Sequence, residues 1–88
     1  MSRSVVEAVI NEELIAVLMV RNKWTVKYFH EELTEKYGLH IGYKMFVKLM
    51  KNKYTWKLTY ALALCDFLDM DVRELFTLEK RENVEFEK

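Results

Sequence analysis

The chain has 88 residues, 51% hydrophobic and 32% charged, with formal net charge zero. That is room for one small globular domain, and neither a disordered chain nor a multi-domain protein. With no proline and two glycines (Gly38 and Gly42), the turn residues an all-β fold needs are missing, and helices are favoured.

The first predicted helix spans about Ser4 to Arg21. Ser4 and Glu7 have capping-box spacing, and Val6, Ile10, Leu14, Val17 and Leu18 recur at helical intervals. Val5, Val9, Ala16 and Val20 widen the apolar face, so this helix is expected to have more than one partner. Glu7, Glu12 and Glu13 interrupt it, which excludes a signal peptide or membrane span. The expectation is a soluble, cytoplasmic protein without membrane association.

Arg21-Asn22-Lys23 makes a polar break. Thr25 can cap a second helix, Val26 to Tyr37, with Phe29 and Leu33 inward and Gly38 ending it. A third helix is predicted over 42–51, with Met45, Phe46, Leu49 and Met50 apolar and Asn52 as a left-handed stop. The fourth starts at a Thr55 cap and runs to Leu68, with Leu58, Leu62, Cys65 and Leu68 on one side. Asp71 and Glu74 form a second capping box, with Met70 and Leu75 as its hydrophobic staple, so a fifth helix begins there. The fold class predicted is all-α, five helices within 1–78. Residues 79–88 form a charged tail in which Val84 and Phe86 alternate with glutamates, as a short strand or a disordered end.

No catalytic constellation is visible: no glycine-rich phosphate loop, no G-x-S-x-G and no H-E-x-x-H. Cys65 is the only cysteine and reads as a core residue; His30 and His40 read as surface or boundary residues. The expectation is a protein without enzyme activity, cofactor or metal.

The charges are segregated. Lys36 to Cys65 holds six lysines and no acidic residue, so all fourteen Asp and Glu lie elsewhere. On the third helix Tyr43, Lys44, Val47, Lys48 and Lys51 oppose the apolar side, and Lys53 and Lys57 follow. Such a face fits the major groove of double-stranded DNA: Lys44 and Lys48 near base edges, Val47 near a thymine methyl, Lys51, Lys53 and Lys57 along phosphates. A lysine run can also be only a solvated face, and this one carries no Arg, Gln or Asn before Asn52 to read bases bidentately. Tyr28, Tyr37, Tyr43, Tyr54, Trp56 and Tyr60 read as boundary packing, with stacking on single-stranded bases as the alternative.

The run Ile41-Gly42-Tyr43-Lys44-Met45-Phe46-Val47-Lys48-Leu49-Met50-Lys51-Asn52 resembles the recognition helix of Cro/repressor-type (XRE-like) helix-turn-helix domains, V-S-x-x-x-I-S-x-I-E-x-G. Leu68-Asp69-Met70-Asp71-Val72-Arg73-Glu74-Leu75-Phe76 is similar to that family's L-G-V-S-L-D-E-L-F ending. The likeness spans about Leu14 to Phe76. It departs at a longer stretch from His30 to Ile41, at Val26 in place of a glutamine, and at His30 in place of an alanine. Met19 and Met50 stand where the family often has an Arg–Glu ion pair; losing both charges together is tolerable, whereas losing one is not. The resemblance implies a DNA-binding, repressor-like transcriptional regulator, expected to be a homodimer through the first helix, the tail or both. A protein-interaction module on the same scaffold, such as an antirepressor, is the alternative.

Overall fold

The predicted first helix is two elements, and Asn11 divides them. In the computed structural model, which describes residues 4–82 and the side chains of residues 6–80, Ser4–Ile10 is a strand, β1, and Glu12–Asn22 is helix α1. Four of the seven β1 residues (Val5, Val6, Val9, Ile10) are β-branched, which suits a pleated backbone better than a helix. Asn11 is the N-cap of α1: its side chain accepts from the Leu14 amide, and Glu12 and Glu13 occupy the first turn. Ser4 and Glu7 both lie within β1, so no helix starts at that spacing.

Three helices then follow. Helix α2 (Val26–Tyr37) is capped by Thr25, which accepts from the Tyr28 amide, and ends on Gly38 at φ 64°. Helix α3 (Tyr43–Met50) starts at Gly42, with no side-chain cap, and stops before Asn52 at φ 57°. Helix α4 (Leu58–Leu68) begins two residues later than predicted. Its N-cap is Lys57, not Thr55, and no side chain caps it.

The buried side of α4 is Ala61, Ala63, Leu64 and Cys65; Leu58 and Leu62 point outward, 70% and 46% exposed, contrary to the predicted apolar face. Small residues at 61 and 63 let α4 lie close to its neighbours, while the two leucines are left over. Helix α5 (Val72–Leu75) carries the complete Asp71–Glu74 capping box.

The all-α reading is overturned by strand β2 (Phe76–Glu82), which pairs antiparallel with β1. Ile10 lies opposite Phe76, Ala8 opposite Leu78 and Val6 opposite Lys80. The strand starts directly after α5 rather than near Val84 and Phe86, which lie outside the described residues. Opposed residues share a face. At the root of this two-stranded ribbon Ile10 and Phe76 enter the core, and Phe76 meets Trp56 edge-to-face at 5.0 Å. Further out the same face is exposed at Val6 and Leu78.

The core is continuous from Ile10 and Ile15 through Phe29, Leu33, Phe46, Leu49 and Leu64 to Leu75 and Phe76. Met50 belongs to it, and Met19 packs against it. Trp24, Tyr28, Phe29 and Phe67 form a second aromatic layer between α2 and α4, with Trp24 stacked on Tyr28 at 5.9 Å. Among the described residues no helix is long and apolar enough to cross a membrane.

Candidate nucleic-acid interface

Helix α3 presents two opposed sides because its buried residues follow the helical repeat. Phe46, Leu49 and Met50 are buried; Lys44, Lys48 and Lys51 lie opposite them and are exposed. Tyr43 and Val47 form one shoulder, exposed and half-buried; Met45 forms the other, 37% exposed. Lys53 and Lys57 are exposed on the connection to α4. The candidate residues therefore share one surface of α3 and the segment behind it. Among the described residues none of the five lysines pairs with a carboxylate. Lys36, the sixth lysine of the basic segment, stands apart: it bonds Glu32 at 2.9 Å and lies 5.4 Å over the Phe67 ring. That hydrogen bond to Glu32 raises its pKa above the ordinary value.

Two of the five lysines rest on aromatic rings. Lys48 Nζ is 5.2 Å from the Tyr54 ring centroid and donates to its hydroxyl at 3.3 Å; Lys57 Nζ is 5.7 Å from the Tyr60 centroid. Cation–π contact leaves the charge available while narrowing the side chain's range. The Lys57–Tyr60 spacing, three residues across a helix start, was readable in the sequence; the Lys48–Tyr54 pair crosses an irregular turn and was not.

Two further side chains set the position of α3. His30 on α2 donates from Nε2 to the Ile41 carbonyl at 2.7 Å, and its ring lies against Tyr43 and Phe46. The His30 side chain, where the resembling family has an alanine, thus pins the turn leading into α3. At the other end Asn52 clamps β1: its Oδ1 accepts from the Ile10 amide at 2.8 Å and its Nδ2 donates to the Ile10 carbonyl at 2.9 Å. Read as a helix stop alone, Asn52 also ties α3 to the ribbon. Trp56, predicted as boundary packing, is buried in the core, and its Nε1 donates to the Leu49 carbonyl at 2.8 Å.

Beside the Met45 shoulder a cleft of about 400 Å³ opens between α3 and the start of α4, walled by Ile41, Met45, Leu49, Tyr54 and Tyr60 with Lys57 at its edge. Among the described residues no cluster of three or more His, Cys, Asp or Glu is placed to hold a metal. Burial pushes the Cys65 thiol pKa up, so the thiol stays protonated within the core. No family model, curated protein or solved structure matches the chain.

Proposed function

We propose that the chain is a duplex DNA-binding regulator of the repressor type, with α3 docked in the major groove. One observation carries this reading: Lys44, Lys48 and Lys51 stand opposite Phe46, Leu49 and Met50 on a short exposed helix, in a segment free of acidic residues. A helix of this width enters the groove, and lysines at its end and on the next connection meet phosphates. Lys44 and Lys48 face base edges with Tyr43 and Val47 beside them; Lys51, Lys53 and Lys57 follow the backbone. The resemblance to the Cro/repressor-type domains points the same way. The working form is a homodimer, because one such domain buries little surface on DNA. The outward Val17 and Val20 of α1 and the Val6–Leu78 face of the ribbon are the apolar surfaces open to a second copy. Its recognition helices are then about 34 Å apart.

The test compares Lys48→Ala with Lys57→Ala on a panel of duplexes. Loss of Lys57 weakens every duplex alike and lowers the salt slope by about 0.9. Loss of Lys48 also relaxes preference at one base pair, by about 1–3 kcal/mol if the contact is good. Glu79→Ala, on β2, changes neither. Equal losses from both lysine variants reduce the protein to a sequence-blind binder. Weak binding that neither changes favours the second reading, a protein-interaction module. That reading has its own observation: Leu58 and Leu62, one turn apart and exposed on α4, form an apolar stripe that duplex DNA does not need.

A further inference from the structure

We propose that the cleft between α3 and α4 binds a small amphiphilic monocarboxylate, an unbranched apolar body with one anionic head. The cleft, at about 400 Å³, lies within the range of small-ligand sites, roughly 300–1,000 Å³. Its walls are mainly apolar side chains and tyrosine rings, with His40 and Thr55 as further polar members, and Met45 is the adaptable element among them. The head group follows from charge. Lys57 is the only charged side chain among the lining residues, and no acidic residue occurs from Lys36 to Cys65 to neutralise it. Its ammonium lies over the Tyr60 ring, which itself walls the cleft, so charge and apolar surface meet at one edge. The Tyr54 hydroxyl accepts from Lys48 and keeps its own proton to donate. The Lys57 ammonium and the Tyr54 hydroxyl, itself bonded to Lys48, suit a carboxylate. A phosphate dianion typically calls for an arginine fork, which this lining lacks.

The turn that forms the outer wall is fixed rather than loose. His30 holds the Ile41 carbonyl, and the Trp56–Leu49 bond secures the inner wall. A cleft whose two walls are tied to separate helices does not close by simple side-chain collapse. The proposal does not depend on duplex binding, and its test contains no DNA.

The full chain is titrated with decanoate, with decan-1-ol as the uncharged body and with butyrate as the head alone, all below their aggregation thresholds. Calorimetry gives the affinity, and the methyl resonances of Ile41 and Met45 give the location. Decanoate is expected to saturate one site and to shift both methyls, with decan-1-ol and butyrate several-fold weaker. Lys57→Gln weakens decanoate by about tenfold or more, the worth of one charge-assisted hydrogen bond, and leaves decan-1-ol unchanged. Gly42→Leu places a side chain at the cleft edge, where the backbone is at φ −69° and a Cβ meets nothing within 4 Å. It folds as the wild type does by circular dichroism and loses decanoate. Absence of saturable binding overturns the proposal. So does binding that is equal for decanoate and decan-1-ol and indifferent to Lys57→Gln, or shifts confined to the apolar faces of α1 and the ribbon.

Discussion

Helix α2 and the β1–β2 ribbon are held in opposite ways. Every device that defines α2 lies within it or next to it: Thr25 at the start, Gly38 at the end, and Phe29 and Leu33 four residues apart on the buried side. The ribbon has no such local determinants. Its strands come from opposite ends of the chain, each supplies the other's backbone partners, and on the Ile10–Phe76 face only the root is packed. A two-stranded ribbon alone is marginal in water, so this one depends on two anchors in the helical body: the Phe76–Trp56 ring contact and the Asn52 clamp on Ile10. The anchors and the tip should therefore respond very differently to substitution.

The largest contrast lies along one face of β2. Phe76→Ala removes a buried ring from the contact with Trp56 and is expected to cost about 3–5 kcal/mol. Leu78→Ala, two residues along on the same face and 75% exposed, should change stability by no more than about 0.5 kcal/mol. Chemical denaturation of both variants measures this. Similar losses would mean that the tip is covered as well, as it would be in a dimer that uses this face.

The clamp gives the next effect. Asn52→Asp retains the acceptor for the Ile10 amide but sets an oxygen against the Ile10 carbonyl, and should cost about 2–3 kcal/mol. Asn52→Gly keeps the positive φ and loses both bonds, about 1–2 kcal/mol. Amide exchange separates the clamp from general destabilisation: the Ile10 amide should lose protection in both variants while the α2 amides keep theirs.

This division explains what could be read from the residues alone. Thr25, Gly38, Asn52 and the Asp71–Glu74 box mark helix ends through local chemistry, and the structure uses each as such. The stretch Val5 to Val20 misleads because Val6, Ile10, Leu14, Val17 and Leu18 keep helical spacing straight across Asn11. The β-branched run before Asn11 was the signal, but its partner strand lies some seventy residues away, beyond any local pattern. At the candidate interface the lysine face of α3 was legible from its opposition to Phe46 and Leu49. The Asn52 clamp, the His30–Ile41 bond and the cleft were not, since each joins segments that the chain brings together only on folding.

A smaller effect belongs to alkaline pH and to the α2–α4 contact. Tyr37 donates to Asp66 at 2.6 Å, which raises the phenol pKa above its ordinary value. Lys36 and Cys65 are raised too, by the Glu32 hydrogen bond and by burial. A raised folded-state pKa gives stability that is complete below the unfolded value and is lost as pH rises through the folded one. The lowest ordinary value of the three is 9.0, for Cys65. Thermal stability should therefore be insensitive to these groups at neutral pH and fall above about pH 9. Tyr37→Phe should lower stability slightly at pH 7 and make the alkaline decline shallower. A decline of unchanged steepness would assign it to the other two groups.

The smallest expected change is a gain, at the start of α3. Gly42 is the N-cap of α3, at φ −69° and ψ 154°, a backbone any residue adopts, and no side chain caps the helix there. A Cβ at this position meets nothing within 4 Å. Serine should accept a hydrogen bond from an amide of the first turn and restrict the unfolded chain, for a gain of about 0.5–1 kcal/mol. Gly42→Asp should gain as much through the same bond and the helix dipole. On the proposed DNA reading the aspartate also sets a negative charge beside Tyr43 and Lys44, so the two substitutions should stabilise alike and bind duplex differently. Equal binding by both variants would put Gly42 outside the groove and leave the contact to Lys48, Lys51 and the connection behind them.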